Sequence, residues 1–321
     1  MKKLLTLVSL LVLASIMLAA CGAKAPVATK APAATEAPAA ATEAPAAGGD
    51  LLAAILERGY ILVSTDPNYE PQSFLNTETA RPADTKCPSD ALTTDEMQGF
   101  DVDAAKAVGD DLGVETCFAT PAWDAITAGN WADKWDVSIG SMTITVDRQK
   151  VLDFSVPYYY TPAVVAVAED SGFTKLEDLS GQTLCAGTST TYESWLKNDM
   201  AALGLPETSI YATVPENVTV TTLETDQECA QAIAAGREDF VGYVTSGTVV
   251  DANIAAEMPV VKIEGAVYSE DLAAAFDKSS TLDTTSLREK VDALFTKMHE
   301  DGTLTEISTQ WFEADLTQAP K

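Results

Sequence analysis

The chain has 321 residues, and its 48 acidic residues outnumber 20 basic ones to give a formal net charge of −28. This charge argues against nucleic acid or an anionic membrane surface as a partner. We interpret the excess as the solvated surface of an exported protein; attraction of cationic solutes is the alternative. Residues 50–321 are long enough to form two lobes with separate hydrophobic cores.

The first twenty residues have the pattern of a secretion signal. Lys2 and Lys3 form a basic region, and residues 4–18 form an apolar stretch that is short for a membrane span. The LAACG run at residues 18–22 reads as a lipoprotein cleavage site, which predicts that Cys21 becomes a lipidated N-terminus. The alternatives are an ordinary signal peptide with an incidental cysteine and a membrane-spanning anchor.

Residues 21–49 are predicted to form a tether that begins with the lipidated cysteine. Ala, Pro and Thr dominate, and ATEAPAA occurs twice in tandem, at 34–40 and 41–47. Because this composition builds no core, we expect disorder. About 27 residues of flexible coil span roughly 30 Å, enough to hold a globular domain clear of a lipid surface.

Strands and helices are predicted to alternate along the rest of the chain, which favours an α/β fold with a largely parallel sheet. The first set is helix 51–58, strand 60–65, helix 100–112, strand 114–119, helix 123–129 and strand 136–140. The second set is strand 163–168, short helix 176–179, strand 183–186, helix 192–200, strand 218–223, helix 227–235 and strand 240–244. An apolar segment 272–276 and helices 287–301 and 304–312 follow.

The segment 136–160 carries the densest set of candidate binding groups. A short buried strand leads into a polar turn with Ser141 and Thr143, and then into a helix that Thr145 is predicted to cap. Arg148 lies in the first turn of that helix. Free N–H groups at a helix start and a planar guanidinium can hold both oxygens of a carboxylate, so the segment predicts a carboxylate site.

Simpler interpretations of these residues remain open. Arg148 could be a surface residue paired with Asp147 or Asp153. Ser141 and Thr143 could only cap the turn, as small hydroxyl residues commonly do.

The same segment also carries a family resemblance. Residues 141–159 read S-M-T-I-T-x-x-R-x-x-x-x-D-F-S-x-P-Y-Y, which resembles the ligand-gripping segment of the bacterial extracellular solute-binding proteins of family 3, the polar amino acid type. These proteins are the capture components of ABC importers. Further matching segments follow in family order and cover nearly everything after residue 50: 58–71, 99–105, 123–126, 178–189, 302–304 and 310–312.

The resemblance implies a two-lobe, periplasmic-binding-protein-like fold of type II, the Venus flytrap, with a mixed, mostly parallel sheet in each lobe. Lobe 1 would comprise residues 50–160 and 270–321, and lobe 2 residues 161–269. The chain would cross between lobes near 159–162 and 267–272, and these crossings would form the hinge. Ligand would bind in the cleft and be buried when the lobes close.

Roles for individual residues also follow from the resemblance. Arg148 corresponds to the arginine that holds the ligand α-carboxylate, and Ser141 and Thr143 to positions that hydrogen-bond the ligand's α-groups. Asp66 and Tyr69 lie in a loop that faces the cleft, with the aromatic ring covering the ligand. For Asp66 the alternative is a cap on its own proline-containing turn.

Two more segments are expected to reach the ligand. Trp123 corresponds to a cleft-lining side chain, with a buried core tryptophan as the alternative. Thr188 and Ser189 match a G-T-T segment that would contact the carboxylate from lobe 2, with helix capping as the alternative.

One departure from the family concerns the aspartate that binds the ligand's α-ammonium. Residues 235–246 read AGREDFVGYVTS, and with a two-residue shift Ser246 falls at the expected place. A neutral hydroxyl there loses a charge-assisted hydrogen bond. Either Asp66 or another acid compensates, or the ligand is not a standard α-amino acid. Gln72 is a second departure, because the family often has an apolar aromatic residue there.

Four cysteines remain once Cys21 is assigned to the anchor, and in an exported chain they favour disulfides. The sequence alone allows three pairings. The lobes implied by the resemblance group Cys87 with Cys117 and Cys185 with Cys229, so we predict these two bonds. Metal binding is a weaker alternative, because no CxxC spacing occurs; free buried thiols are another.

The resemblance therefore implies a monomeric, lipid-anchored binding protein in the periplasm or on the outer face of the cytoplasmic membrane. It would capture an amino acid or a related small carboxylate and deliver it to an ABC permease, with no cofactor and no metal. A dehydratase on the same fold is an alternative, but no histidine lies near the motifs, and we expect no enzymatic activity. Another is a ligand sensor, which we expect to act in trans because no signalling domain follows residue 321.

Overall fold

The structure is a computed structural model and describes residues 48–320; Cys21, the predicted signal peptide and most of the predicted tether lie outside the described residues. The helices of the described chain are α1 (Leu51–Arg58), α2 (Phe100–Leu112), α3 (Trp123–Thr127), α4 (Thr191–Leu196), α5 (Met200–Leu203), α6 (Asp226–Ala234), α7 (Gly247–Ala255), α8 (Thr285–Asp301) and α9 (Thr303–Phe312). The strands are β1 (Tyr60–Ser64), β2 (Asn68–Tyr69), β3 (Ser73–Leu75), β4 (Leu92–Thr93), β5 (Met97–Gln98), β6 (Glu115–Ala119), β7 (Val137–Thr143), β8 (Leu152–Ala168), β9 (Thr183–Gly187), β10 (Thr219–Leu223), β11 (Gly242–Ser246), β12 (Val260–Lys262) and β13 (Tyr268–Asp277).

Ten of these strands form one mixed sheet in the order β10-β9-β11-β8-β13-β7-β1-β6-β4, with β12 paired to β8. On one side β1 pairs in parallel with β6 and β7, and on the other β9 pairs in parallel with β10 and β11. Between them the long strands β8 and β13 run antiparallel to each other. The predicted α/β class with parallel strands in each half is confirmed.

The long strands β8 and β13 carry residues of two separate hydrophobic cores. Tyr159 of β8 and Leu272 of β13 belong to a first core, which also contains apolar side chains of α1, α2, α8 and α9. Ala163 of β8 and Tyr268 of β13 belong to a second core, which contains β9 and α4. Because Tyr159 pairs with Leu272 and Ala163 with Tyr268, both strands pass from one core to the other within a few residues.

The predicted helix after Thr145 is wrong. β7 continues through the predicted turn as far as Thr143, and only one 3₁₀ turn, Arg148–Lys150, follows. Thr145 Oγ1 does accept the N–H of Arg148 at 3.2 Å. The helix stops there because Leu152 is fully buried and already pairs with β13, which commits the chain to the sheet.

Two other predictions about the second half need correction. The predicted helix 192–200 is two short helices, α4 and α5, separated by Asn198 in the left-handed conformation (φ 56°). Helix α7 was not predicted at all, although the polar segment 245–248 marks its start and Ser246 is its N-cap.

Both predicted disulfides are present. Cys87–Cys117 joins the segment between β3 and β4 to β6, beside the first core, and Cys185–Cys229 joins β9 to α6, beside the second. No helix between residues 48 and 320 combines the length and the apolar character needed to cross a membrane.

Candidate functional site

A cavity lies between the first and second cores. Six of the nine predicted ligand-binding residues line it: Asp66, Tyr69, Trp123, Ser141, Thr143 and Arg148. The remaining lining residues are Gly140, Thr190, Thr191, Tyr192, Glu224, Thr225, Asp226 and Glu270. The wall therefore comes from the loop after β1, the starts of α3, α4 and α6, the end of β7 with the 3₁₀ turn that follows it, and the first part of β13.

Arg148 is the cation of this cavity and is only 7% exposed. Its Nη1 donates to the carbonyl of Thr143 at 3.0 Å and its Nη2 to the carbonyl of Ser189 at 3.2 Å. The guanidinium lies over the ring of Trp123, 5.4 Å from its centre. Burial lowers the pKa of Arg148 to about 10.

The interpretation of Arg148 as a surface ion pair is wrong. Asp147 pairs with Lys150, and Asp153 pairs with Lys278. The other four arginines of the described chain each have a carboxylate partner, whereas Arg148 has none within 4 Å. The charge of Glu270 acts on Arg148 from beyond 4 Å, but the direct hydrogen-bond partners of the guanidinium are neutral carbonyls. Burial of a cation without a directly paired anion is costly, and a ligand carboxylate would offset that cost.

Glu270 is the most buried acid of the cavity, with 1% exposure, and sequence reasoning missed it. It accepts hydrogen bonds from the hydroxyls of Thr143 (2.6 Å), Thr191 (2.7 Å) and Tyr192 (2.8 Å). Burial raises its pKa, while these donors and the charge of Arg148 act in the opposite direction. Glu270 thus links β7, on the first-core side, to the start of α4, on the second-core side.

Asp226, at the start of α6, is the second buried acid that was missed. Its carboxylate accepts the N–H of Gly187 at 2.5 Å and the hydroxyl of Thr245 at 3.1 Å. Burial raises the pKa of Asp226 to about 7 despite these donors. The signal that could have found it is the Thr225-Asp226 pair ahead of an apolar helix, because Thr225 caps α6 and thereby fixes the acid in its first turn.

Asp66 and Tyr69 approach the cavity from the loop after β1. Asp66 accepts the N–H of Asn68 at 2.8 Å, so it caps its turn as well as lining the cavity, and burial raises its pKa. The hydroxyl of Tyr69 lies 2.9 Å from that of Tyr192. This contact connects the first-core and second-core walls.

The family model for bacterial extracellular solute-binding proteins, family 3, matches residues 61–314. The chain belongs to this family. It is 26% identical over 275 residues to the L-cystine-binding protein TcyJ of Escherichia coli (strain K12), covering 84% of this chain and 88% of that protein. It is 27% identical over 218 residues to the ABC transporter arginine-binding protein 1 of the same strain, covering 68% of this chain and 82% of that one.

Solved structures of related solute-binding proteins have the same fold. An ancestral amino acid-binding protein, AncCDT-1, described as a precursor of cyclohexadienyl dehydratase, superimposes with a TM-score of 0.64. It is 27% identical in sequence, and the match covers 81% of this chain and 99% of that one. The predicted family 3 membership and the predicted two-lobe fold are therefore confirmed, and the family places the protein outside the cytoplasm.

Three residues predicted for this solute-binding site lie outside the cavity wall. Thr188 donates its hydroxyl to the carbonyl of Leu223 at 2.9 Å. Ser189 contributes its carbonyl to Arg148, while the residue itself lines a neighbouring cavity. Ser246 is buried, and its hydroxyl lies 2.8 Å from the hydroxyls of Thr161 and Thr248. The preceding residue, Thr245, is the one that contacts Asp226. In the segment for which Thr188 and Ser189 were predicted, the residues that line the cavity begin at Thr190.

Ser141 has protein partners within the wall. It takes the left-handed conformation (φ 56°) inside β7, and its Oγ donates to Asp101 at 2.7 Å and lies 2.6 Å from the hydroxyl of Tyr159. Asp101 also accepts the hydroxyl of Tyr158 at 2.6 Å, and burial raises its pKa to about 7. This network fixes the end of β7, from which Thr143 and Arg148 reach the cavity.

Proposed function

We propose that the protein captures an α-amino acid in the cavity between its two cores and delivers it to an ABC importer. The observation that carries this proposal is the buried guanidinium of Arg148, which has no carboxylate partner in the described chain. A ligand α-carboxylate supplies the missing anion through charge-assisted hydrogen bonds. The relatives named as cystine-binding and arginine-binding proteins support this ligand class.

The ligand's α-ammonium is held by acids other than the one the family usually provides. Asp226 and Glu270 line the same cavity as Arg148, and both are buried. Either carboxylate offers the charged acceptor that Ser246 lacks. The proposed contacts are completed by Asp66, Tyr69, Trp123, Ser141 and Thr143, while Thr188, Ser189 and Ser246 support the wall from behind.

Capture proceeds by closure of two lobes, residues 50–160 with 270–321 and residues 161–269. The bonds between Tyr69 and Tyr192 and between Gln72 and Thr248 (2.5 Å) join the two sides and are lost on opening. A ligand that contacts both sides binds the closed form more tightly and so shifts the population towards it. The permease then recognises the closed form.

The protein acts as a monomer anchored through a lipid on Cys21, and it performs no catalytic step. The cleavage pattern at residues 18–22 supports the anchor. Replacing Cys21 by serine should release the protein from the membrane fraction. Conversion of a cyclic carboxylate into a dehydrated product by the purified protein would contradict the absence of catalysis.

The test is calorimetric titration of the exported protein, disulfides intact, with the common amino acids and with matched carboxylic acids that lack the amine. We expect at least one α-amino acid to bind, its amine-free analogue to bind much more weakly, and Arg148→Met to weaken binding about 100-fold, because truncating a buried charge pair costs about 2–5 kcal/mol. Arg237→Met is the matched control, since Arg237 is exposed and pairs with Asp239 away from the cavity. Unchanged binding by Arg148→Met, or equal binding of the amine-free acid, would contradict the proposal.

A further inference from the structure

The charges that line the cavity are strongly unbalanced. Four carboxylates, Asp66, Glu224, Asp226 and Glu270, face one guanidinium, Arg148, which leaves a formal charge of −3 if all are ionised. An α-amino acid with a neutral side chain adds no net charge. It uses Arg148 for its carboxylate and one or two acids for its ammonium, and leaves the others without a cation.

The acids are ordered along the cavity, away from Arg148. Glu270 is nearest in the bonding network, since Thr143 contacts Glu270 through its hydroxyl and Arg148 through its carbonyl. Asp226, at the start of α6, lies between Glu270 and Asp66, since the negative charges of both act to raise its pKa. Asp66 lies at the end away from Arg148, in the loop before β2, which packs against α6, and the charges of Glu224 and Glu228 act to raise its pKa.

This order matches the charges of a basic amino acid. An α-carboxylate on Arg148 places the α-ammonium beside Glu270 and Asp226, and a side chain extending from it brings a distal cation to Asp66 and Glu224. The four acids do not together form a metal site, since no group of three His, Cys, Asp or Glu side chains in the described range could hold a metal ion.

A second carboxylate at the distal end would be disfavoured. It would lie among Asp66, Glu224 and Asp226, and like charges in a partly buried site repel. This consideration disfavours acidic amino acids. Cystine carries both a carboxylate and an ammonium at its distal end, so that end has no net charge and gains less from the acids than the distal cation of a basic amino acid. A preference for a distal cation would distinguish this chain from its cystine-binding relatives, although its sequence identity to the cystine-binding and arginine-binding relatives is similar.

We propose that the cavity selects α-amino acids with a positively charged side chain, with Asp66 and Glu224 as the residues that recognise the distal cation. This inference rests on the proposed function, because it takes the α-carboxylate to be held by Arg148. It adds the ligand's charge class and assigns specificity to the far end of the cavity.

The decisive probes are L-arginine and L-citrulline, which have almost the same shape but differ in the charge of the terminal group. Calorimetric titration of the exported protein should show arginine binding at least tenfold more tightly than citrulline, with lysine closer to arginine. Asp66→Asn should reduce the arginine-to-citrulline ratio several-fold. Asp84→Asn, which removes the same charge from an exposed residue outside the cavity wall, should leave the ratio unchanged.

The possible failures are distinguishable. Citrulline or cystine binding as tightly as arginine, with the affinity still dependent on Arg148, would overturn the charge-class inference and leave the proposed function intact. A ratio unaffected by Asp66→Asn would overturn the assignment of the distal site. Absence of binding by every α-amino acid would overturn both proposals.

Discussion

The hydroxyls of Tyr69 and Tyr192 lie 2.9 Å apart, one on each side of the cavity. Tyr192 donates its own proton to Glu270 at 2.8 Å, so Tyr69 is the donor in the pair. The bond therefore extends the Glu270 network across to the loop after β1. It exists only while the two sides are together, which makes it a sensitive probe of closure.

Tyr69→Phe removes that hydroxyl and preserves the ring. We expect ligand affinity to fall about 3- to 10-fold, because a hydrogen bond of this kind contributes roughly 0.5–1.5 kcal/mol. Calorimetric titration with the preferred amino acid measures the change. Tyr211→Phe is the control, since Tyr211 is 51% exposed and lies outside the cavity wall. Equal affinities for the two variants would show that the bond does not contribute to closure.

Gly204 approaches Val146 closely across the same cleft, and a Cβ at residue 204 would clash with the Val146 side chain. Gly204→Ala should weaken ligand binding roughly 5- to 100-fold, because overpacking costs about 1–3 kcal/mol and the clash exists only when the sides are closed. Gly172→Ala is the matched control: Gly172 also has a positive φ (75°), but a Cβ there meets nothing within 4 Å.

Both glycine variants carry the cost of a left-handed alanine, so both should lose similar stability in chemical denaturation without ligand. Only Gly204→Ala should lose affinity. A similar loss of affinity in Gly172→Ala would assign the effect to backbone strain rather than to the contact with Val146.

Arg148→Met should leave the free energy of unfolding of the ligand-free protein within about 1 kcal/mol of the parent value, because removal of a buried charge without a direct carboxylate partner offsets the loss of its longer-range attraction to Glu270. Urea denaturation without ligand measures this. Arg58→Met provides the contrast, since Arg58 pairs with the buried Asp136, and breaking such a pair costs about 3–5 kcal/mol. A loss of that size in Arg148→Met would mean that Arg148 stabilises the fold rather than binding a ligand.

Asp101 should make the ligand-free protein less stable as the pH rises from about 4 to 7. Its folded pKa is about 7, above the ordinary value of 3.8, so in that interval the folded state binds more protons than the unfolded state. Asp101→Asn should reduce this pH-dependent fall in the free energy of unfolding by up to about 1.4 kcal/mol per pH unit.

Urea denaturation of both proteins between pH 4 and 7.5 measures the difference. Asp84→Asn, at an exposed residue, should reproduce the parent's slope. Parallel curves for Asp101→Asn and the parent would show that burial does not raise the Asp101 pKa in the folded protein.

Much of the fold could be predicted from the sequence because local signals and tertiary context agree. Leu51–Arg58 and Phe100–Leu112 have apolar periodicity and end at Gly59 and Gly113, which take the left-handed conformation that glycine favours. The segment after Thr145 has a good local helix signal as well. There the pairing of Leu152 with β13, a partner more than a hundred residues away, overrides it.

The candidate site was predictable only where its residues are contiguous in sequence. The loop after β1 and the end of β7 carry recognisable motifs, and their residues do line the cavity. Asp226 and Glu270 lack such motifs. Asp226 is held at the cavity by its contacts with Gly187 and Thr245, and Glu270 by the pairing of β13 with β8. Glu270 nevertheless left a signal, since it lies just before the apolar segment 272–276, and a glutamate in a buried strand must find hydrogen-bond donors.

The two disulfides include every cysteine between residues 48 and 320, and neither bond joins one side of the cleft to the other. A cysteine introduced at exposed Tyr211 would be the single free thiol of the described chain. A polarity-sensitive dye attached there would accompany the moving half without competing chemistry. The protein thereby offers a ready scaffold for an optical sensor that reports solute concentration directly, in the oxidising media where most such assays are run.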